Sequence, residues 1–440
     1  MISPADVQVA VLMGGLGTRL KDYTKECPKS LVDVCGRPFF DYQLDLLIAW
    51  GFKKFVFLIG YRADQIEEHY GDGSSRGISI KYSYDGEKLL GTGGAVRRAL
   101  DVLEDDFLLM YGDSFMDIDY AETLYRYERG KAAGAKALMT VLCNNNRFDK
   151  SNVVMDGGRL VLYDKHNPTP EMDHIDYGVC MYERSLFEGF AEDEAFDLST
   201  IQHDLSVKGE MTAQIVTKRF YEIGSPESLS EFSRYVTKRF FENHPAVFVD
   251  RDGVINEIVW NDDIEQLDSP MKVSQFEFLP GAAAALKKFK EKGYYIFIVT
   301  NQPGAAKGKT DLATLYDINT YMIDSLAKAG VEIDDLFMCP HYPKELPTTK
   351  EKFLIRKCNC RKPEPGLIYR AMRKYSIDMT RSYMIGDSCS DVVAGSAVGL
   401  ETIFIGEVKC DLCKKLGDLS PTFIAMDLED AAEAVPDCNR

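Results

Sequence analysis

The sequence of 440 residues predicts an α/β protein with two domains in tandem. Short apolar segments of strand length alternate with longer segments whose apolar residues recur at helical spacing, as in a parallel sheet covered by helices. This alternation begins near Val9 and starts again at Ala246. The chain is also longer than a single hydrophobic core usually supports. We therefore expect two separate α/β domains.

The first domain opens with a predicted strand at residues 9–13, directly before a glycine-rich run. A helix is expected around residues 39–50, and the next strand at residues 55–59. The apolar residues 108–111 predict a later strand, which ends in Gly112-Asp113. These segments are expected to form one parallel sheet with its helices.

The second domain repeats the pattern with predicted strands at residues 246–249, 294–299, 382–385 and 402–405. The join lies near residues 238–245, where a charged helix end precedes Asn243-His244-Pro245. The predicted domains are therefore residues 1–240 and residues 241–440.

Composition limits the classes of partner. The formal net charge is -17, which disfavours binding to nucleic acid. No apolar run reaches the length of a membrane span, and no basic region precedes the N-terminal apolar run. We therefore expect a cytoplasmic protein with neither a nucleic-acid nor a membrane partner. A homo-oligomer is compatible with the sequence.

A glycine-rich run follows the first strand. Residues 14–20 read Gly-Gly-Leu-Gly-Thr-Arg-Leu, so backbone amides there can face a phosphate without side chains in the way. The run is neither a P-loop nor a dinucleotide fingerprint, and a glycine turn without a ligand is the alternative. Lys29 and Asp113 add a cation and a carboxylate. Nucleotidyl transfer needs such groups, because negative charge builds up at the α-phosphorus.

With these residues the first domain resembles the sugar-phosphate nucleotidyltransferase family, most closely the heptose 1-phosphate guanylyltransferases. The resemblance implies a three-layer, Rossmann-like fold of the glycosyltransferase-A type, with Arg19 and Lys29 as catalytic cations. The residues implied to hold the nucleoside triphosphate, GTP by preference, are Gly14, Gly15, Gly17, Thr18, Arg19, Lys29, Gly91, Gly93 and Gly94. Lys165 and Gly178 are implied contacts to the sugar phosphate.

The same resemblance implies a Mg²⁺ site at Asp113 and Glu222. The family usually has an aspartate as the second ligand, whereas here Tyr221-Glu222-Ile223-Gly224 supplies a glutamate. A glutamate can also coordinate Mg²⁺. The alternative is an ordinary surface glutamate.

A second set of polar residues follows the strands of the second domain. Asp250 and Asp252 are two residues apart at a strand end, so both carboxylates are expected on one side of the chain. One can attack phosphorus while the other protonates the leaving oxygen and later activates water. A solvated strand end is the alternative for this pair alone. However, Thr300-Asn301, Arg361-Lys362 and Gly386-Asp387 follow at strand ends or in nearby loops, where they can converge on one crevice.

Together these groups resemble the haloacid dehalogenase superfamily of phosphatases, which implies a second three-layer, Rossmann-like domain. By this resemblance Asp250 is the nucleophile and Asp252 the general acid and base. Thr300, Asn301, Arg361 and Lys362 are implied to bind phosphate, and Lys362 to neutralise charge beside Asp250. Mg²⁺ would be held by Asp250, Asp387 and a backbone oxygen of Asp252, with Asp391 as an outer candidate.

The same domain carries a predicted zinc site. Cys339 with His341, and Cys358 with Cys360, form two closely spaced pairs that match a closed structural Zn²⁺ site. Chance clustering of cysteines is the alternative. Because Cys360 precedes Arg361-Lys362, the zinc would fix the loop that presents these cations. Cys410 and Cys413 have similar spacing but lack a second free pair, so their role stays open.

The zinc loop and the segment from Thr300 to Gly308 resemble the heptose 1,7-bisphosphate phosphatases and the related histidinol-phosphate phosphatases. The preferred hypothesis is a bifunctional enzyme, because removal of the 7-phosphate would supply the 1-phosphate that the first domain uses. Two alternatives stay open: a phosphatase of histidinol phosphate or another small monoester fused to a mannose or glucose 1-phosphate nucleotidyltransferase, or one half acting as a non-catalytic regulatory module.

Overall fold

The structure, a computed structural model, describes residues 2–15, 20, 23–86, 88, 90–261, 265–406 and 421–438. It divides into two compact units, residues 1–236 and 237–440. Within the described residues, no helix is both long and apolar enough to cross a membrane.

The first unit is built around a mixed β-sheet. The strands of this unit, four of which lie outside the main sheet as two short antiparallel pairs, are β1 Gln8–Leu12, β2 Asp33–Val34, β3 Arg37–Pro38, β4 Lys54–Ile59, β5 Ser79–Tyr84, β6 Asp106–Tyr111, β7 Ser114–Phe115, β8 Ala137–Cys143, β9 Val153–Asp156, β10 Arg159–Tyr163, β11 His174–Glu183, β12 Met211–Val216 and β13 Tyr221–Glu222. In the main sheet, β6, β1, β4 and β5 are neighbours and run parallel. β11 runs antiparallel to both β6 and β8. The sheet is therefore mixed, whereas the strand and helix rhythm predicted a parallel one.

Helices cover both faces of this sheet. They are α1 Phe39–Trp50, α2 Ala63–Tyr70, α3 Gly91–Arg98, α4 Tyr120–Ala132, α5 Leu198–Lys208 and α6 Pro226–Val236. Alternate strand residues point to opposite faces. Val56 and Leu58 pack in one core with residues of α3 and α5. Phe57 points the other way and contacts Phe40 of α1 and Tyr70 of α2.

The second unit contains a sheet that is parallel throughout its described strands. The strands of this unit, with one short hairpin, are β14 Ala246–Val249, β15 Val259–Asn261, β16 Gln266–Asp268, β17 Tyr295–Asn301, β18 Asp335–Cys339, β19 Tyr383–Gly386, β20 Glu401–Ile405 and β21 Phe423–Ala425. The order across the sheet is β18-β17-β14-β19-β20-β21. β14 therefore lies in the middle, where the order of the strands reverses. β15 and β16 form the separate hairpin.

Two hydrophobic cores lie on opposite faces of this second sheet. The helices are α7 Ala282–Glu291, α8 Leu312–Lys328, α9 Gly366–Lys374, α10 Cys389–Ser396 and α11 Leu428–Ala434. Val247 and Val249 of β14 pack in the core that contains residues of α7, α8 and α11. Ala246 and Phe248 pack in the core that contains residues of α9 and α10. The predicted α/β class with two three-layer domains is confirmed.

Candidate active sites

Asp250 and Asp387 lie at the centre of the second sheet. Asp250 follows β14 and Asp387 follows β19, and these two strands are parallel neighbours. The backbone N–H of Asp250 donates to the carbonyl of Ile385 at 2.9 Å, which continues the pairing to the strand ends. In open α/β sheets, ligands bind at the carboxyl edge where the strand order reverses. This geometry places both carboxylates at that position.

Lys362 connects two carboxylates of this site, those of Asp250 and Asp391. Its Nζ lies 2.8 Å from Oδ1 of Asp250 and 2.6 Å from Oδ1 of Asp391, and it donates to the carbonyl of Val299 at 2.7 Å. The Lys362 side chain is 3% exposed and that of Asp391 is 1% exposed. Both amide atoms of Asn301 bond the Lys362 backbone at 3.0 Å. The ammonium group is therefore held in place from several sides.

The carboxylates around Lys362 are arranged for a cation. Oxygens of Asp250, Asp387 and Asp391 lie within 4.8 Å of one another. Burial raises the pKa of Asp250 to about 7; Asp391 adds to this, and Lys362 opposes it. Burial and the charge of Asp250 raise the pKa of Asp387 to about 7. These carboxylates fit a Mg²⁺ site, because Mg²⁺ prefers oxygen ligands. The charge of a divalent ion would also offset the repulsion between the carboxylates and keep them ionised.

Asp252 has the opposite electrostatic character. Its Oδ1 accepts from Nε and Nη2 of Arg251 at 3.0 and 2.9 Å, and its Oδ2 accepts from Nε2 of Gln302 at 2.6 Å. Burial alone would raise its pKa, but Arg251 and these hydrogen bonds hold the pKa below its usual value. The pKa values of these two carboxyl groups, two residues apart in the chain, are thus shifted in opposite directions.

Thr300 and Arg361 are the remaining predicted phosphate-binding residues. Thr300 ends β17 together with Asn301, and its Oγ1 accepts a hydrogen bond from Gln302 at 2.9 Å. Arg361 precedes Lys362, and its guanidinium carbon lies 5.8 Å from the ring centroid of Tyr342. Lys307, which the prediction did not assign, places its Nζ 4.9 Å from the same centroid. Burial and the nearby charges of Lys309 and Arg361 lower the pKa of Lys307.

The four predicted zinc ligands form one cluster. Sγ of Cys339 lies 3.6 Å from Nδ1 of His341, 3.7 Å from Sγ of Cys358 and 3.3 Å from Sγ of Cys360. Nδ1 of His341 lies 3.2 Å from Sγ of Cys360. Ligand atoms of tetrahedral zinc, each about 2.0–2.3 Å from the metal, lie at similar mutual distances. The donor set therefore fits Zn²⁺.

In the first unit, a cavity of about 290 Å³ opens at the end of β1. Five predicted site residues line it: Gly14, Gly15, Lys29, Gly91 and Asp113. Nζ of Lys29 lies 2.5 Å from Oδ2 of Asp113. Glu222 is exposed in β13 and pairs with Ser114 of β7, next to Asp113 along the chain. Asp113 directly precedes β7, the strand that pairs with β13, and carboxylate oxygens such as those of Asp113 and Glu222 are ligands that Mg²⁺ prefers.

Four other predicted residues of this site are not among those that line the cavity: Gly93, Gly94, Lys165 and Gly178. The backbone N–H groups of Gly93 and Gly94 donate to the carbonyl of Phe196 at 3.0 and 3.3 Å, so both glycines permit close packing of α3 against this segment. Lys165 lies 3.6 Å from Asp197. Gly178 has φ +92, and a Cβ there would lie 3.2 Å from the ring of Tyr111, a residue of the cavity wall. Gly17, Thr18, Arg19, Cys410 and Cys413 lie outside the described residues.

One acidic residue of the cavity wall was not assigned from the sequence. Asp85 follows β5 directly and is 8% exposed. Burial raises its pKa to about 6, although Arg98 lowers it. A Cβ at Gly14 or Gly60 would crowd its Oδ2, so two glycines make room for this carboxylate. Its position after a strand and before Gly86 was the available signal in the sequence.

Comparison with known proteins gives matches to both units. Residues 8–239 match the family model described as Nucleotidyl transferase, and residues 359–431 match the one described as HAD-hydrolase-like. The chain is 39% identical over 158 residues to D-glycero-beta-D-manno-heptose-1,7-bisphosphate 7-phosphatase of Photorhabdus laumondii subsp. laumondii. This match covers 36% of this chain and 78% of that protein. The chain is 37% identical over 160 residues to the alpha-anomer 7-phosphatase of the same organism, covering 36% and 81%. The chain is also similar to the solved structure of HddC from Yersinia pseudotuberculosis complexed with GMP-PN, with 21% sequence identity and a TM-score of 0.42. This match covers 52% of this chain and 99% of the HddC chain.

Proposed function

We propose that this chain, which belongs to the nucleotidyl transferase family through residues 8–239 and to the heptose-1,7-bisphosphate 7-phosphatase family, is a bifunctional enzyme of nucleotide-activated heptose synthesis. The chain combines a nucleotidyltransferase with a phosphatase. In the proposed sequence, the second domain removes the 7-phosphate of a heptose 1,7-bisphosphate. The first domain then transfers a guanylyl group to the resulting 1-phosphate and releases pyrophosphate.

The observation that carries the phosphatase proposal is the contact of Lys362 with Asp250. An ammonium 2.8 Å from the carboxylate reduces the repulsion that a phosphate dianion meets when Asp250 approaches phosphorus. Mg²⁺, which Asp250, Asp387 and a backbone oxygen of Asp252 would hold, would supply further neutralising charge. Asp250 would form the bond to phosphorus, while Asp252 would donate a proton to the departing sugar oxygen.

Preference for a bisphosphate is supported by a second set of cations near Lys362. Lys307 and Arg361 contact one aromatic ring, that of Tyr342, and the charge of Arg361 helps to lower the pKa of Lys307. Like charges at this spacing are unfavourable unless an anion joins them. We infer that they bind the second phosphate of the substrate, which stays on the sugar.

The zinc cluster supports this arrangement through its connection along the chain to Arg361 and Lys362. Cys360 is followed at once by Arg361 and Lys362, so a closed Zn²⁺ site would fix the start of the segment that carries both cations. All four coordination positions would be filled by Cys339, His341, Cys358 and Cys360. The zinc is therefore proposed as structural.

For the transferase, the supporting observation is a cavity that is lined both by glycines and by an ion pair. Gly14 and Gly15 line this cavity together with the ion pair of Lys29 and Asp113. We infer that the triphosphate takes the Lys29 end, where Asp113 and Glu222 would hold Mg²⁺. Binding would draw Lys29 from Asp113 toward the phosphates. Lys29 and Mg²⁺ would then neutralise the negative charge that develops at the α-phosphorus.

Asp85 supports guanine as the base. Guanine presents two donors, N1–H and the 2-amino group, on its Watson–Crick edge, and a carboxylate can accept both. Asp85 is buried in the cavity wall, and the neighbouring wall residues Leu58 and Ala95 are apolar. A carboxylate in such surroundings would bind guanine and disfavour bases that present carbonyl oxygens.

The proposal is tested by product analysis with the full-length chain and Mg²⁺. Heptose 1,7-bisphosphate, heptose 7-phosphate, histidinol phosphate and other monoesters are compared for phosphate release. Sugar 1-phosphates are compared for pyrophosphate release with each of the four nucleoside triphosphates. We expect phosphate release to be fastest from the bisphosphate and pyrophosphate release to be fastest with GTP. Phosphate release that favours histidinol phosphate would contradict the heptose assignment.

A further inference from the structure

The carboxylate of Asp252 is held by its own loop, by Ser269 and by Gln302. Its Oδ1 accepts from Arg251 and also from Nδ2 of Asn256 at 3.1 Å, and both donors lie in the loop that contains Asp252. Its Oδ2 accepts from Nε2 of Gln302 at 2.6 Å. Gln302 directly follows β17, the neighbouring strand of the sheet. This hydrogen bond therefore ties the proposed acid and base to a different element.

Gln302 also contacts two other parts of the proposed site. Its Nε2 donates to Oγ1 of Thr300 at 2.9 Å, and its backbone N–H donates to the carbonyl of Cys339 at 2.8 Å. The residue is 0% exposed. The buried side chain of Gln302 thus links Asp252 to Thr300, and its backbone N–H links this group to Cys339, the first predicted zinc ligand.

The amide of Gln302 has one defined orientation. Within the described residues, its Oε1 has no hydrogen-bond partner, although the atom is buried. Rotating the amide by half a turn would place Oε1 against Oδ2 of Asp252, and two acceptors would then repel each other. The present orientation leaves one acceptor unpaired, which costs free energy, but it gives the ionised Asp252 a donor. The arrangement is suited to Asp252 as a carboxylate, the form that activates water.

We propose that Gln302 is a positioning residue that holds Asp252 for hydrolysis of the phosphorylated enzyme. This inference rests on the proposed phosphatase function. In that step a water oxygen forms a bond to phosphorus, and a proton of the water passes to Asp252. The bond between phosphorus and the Asp250 oxygen breaks, its electron pair returns to Asp250, and inorganic phosphate leaves. Rotation of the Asp252 carboxylate away from the water would slow this step.

The test uses p-nitrophenyl phosphate, whose leaving group departs without needing a proton. Gln302→Met in the full-length chain keeps the side-chain length and removes the donor. With Mg²⁺ present, we expect kcat to fall about 10- to 100-fold, because general base catalysis is impaired. We expect kcat/KM, which covers the steps up to phosphorylation of Asp250, to stay within about 3-fold. A pre-steady-state burst of about one p-nitrophenolate per site should appear, with phosphate trapped on the protein.

Two further variants provide references. Asp252→Asn removes the base itself and should show the same burst with a larger fall in kcat. Gln302→Asn keeps an amide on a side chain one carbon shorter, and its kcat should lie between those of the wild type and Gln302→Met. Retained zinc content would show that the fold is intact, and unchanged inhibition by inorganic phosphate would show that phosphate binding is intact.

A parallel fall of kcat and kcat/KM without a burst would overturn the inference, because Gln302 would then act on phosphate binding or on folding. A wild-type kcat for Gln302→Met would overturn it as well. These results differ from failure of the proposed function, in which the wild-type chain would release phosphate from neither p-nitrophenyl phosphate nor the heptose bisphosphate.

Discussion

The two proposed active sites place their lysine and aspartate pairs at different depths. In the phosphatase, Lys362 is 3% exposed and its partner Asp391 is 1% exposed. In the transferase, Lys29 is 14% exposed and Asp113 is 33% exposed. Buried charges must be matched within the protein, whereas partly exposed ones can be matched by water or a ligand. We therefore expect the phosphatase site to be assembled before substrate binds and the transferase site to be completed by its substrate.

This difference is tested most strongly by removing the two lysines. Lys362→Met would leave Asp250 and Asp391 buried without their cation, and we expect the second domain to lose about 3–5 kcal/mol of unfolding free energy. Lys29→Met breaks a more exposed pair and should cost about 0–1 kcal/mol. Each substitution should abolish the activity of its own domain. Urea unfolding, followed domain by domain, measures both values, and equal losses would contradict the comparison.

The cations beyond the phosphatase centre give the next largest effect. Lys307→Gln should raise KM for the heptose 1,7-bisphosphate about 10- to 30-fold, because one charge-assisted contact to the second phosphate is lost. KM for the 7-monophosphate, which lacks that phosphate, should not change. Lys309→Gln is the matched control, because Lys309 pairs with Asp268. An equal rise for both substrates would place Lys307 at the reacting phosphate.

The acid of the transferase cavity gives a pH-dependent effect of smaller size. Burial raises the pKa of Asp85 to about 6, so its carboxyl group loses a proton as the pH rises through that value. Below it, the protonated group offers a donor where guanine also offers donors. The ratio of the KM for ATP to that for GTP should therefore rise about 10-fold between pH 5 and pH 7. Taking the ratio cancels titration of the phosphates.

Asp85→Asn is the control for this pH effect. The amide does not titrate, so the ratio of the two KM values should lose its pH dependence and its preference for GTP. A ratio that still rises with pH in this variant would assign the effect to another group.

The smallest expected effect concerns the glycines of the first strand end. A Cβ at Gly14 would overlap Oδ2 of Asp85, whereas at Gly15 no atom of the described residues lies within 4 Å. Gly14→Ala should therefore lower the unfolding free energy by about 1 kcal/mol. Gly15→Ala should leave stability unchanged while weakening nucleotide binding. Thermal unfolding with and without GTP separates these outcomes, and equal stability of the two variants would contradict the packing argument.

The positions of site residues that follow strand ends were the features best predicted from the sequence. Asp250, Thr300 and Asp387 were expected at one edge because parallel strands bring their carboxyl ends together, and the structure has all three at the ends of β14, β17 and β19. The α/β class and both families are confirmed. The roles of the individual residues stay predictions, as do the domain bounds.

Contacts between distant segments were not predictable. Asn301 makes two hydrogen bonds to the backbone of Lys362, and Lys362 forms an ion pair with Asp391. Both contacts depend on how loops pack. β11 was missed as an antiparallel partner of β6, because alternation of apolar segments does not give the direction of pairing. Asp85 was overlooked for a similar reason: an acid after a strand is common, and burial decides its meaning.

Coupling of the two activities is tested most directly by following phosphate and pyrophosphate together. The full-length chain receives heptose 1,7-bisphosphate, GTP and Mg²⁺, and Asp250→Asn is measured beside it. The account predicts that phosphate release precedes pyrophosphate release in the wild type and that Asp250→Asn releases neither, until added heptose 1-phosphate restores pyrophosphate release. Pyrophosphate formed from the bisphosphate by Asp250→Asn at the wild-type rate would contradict it.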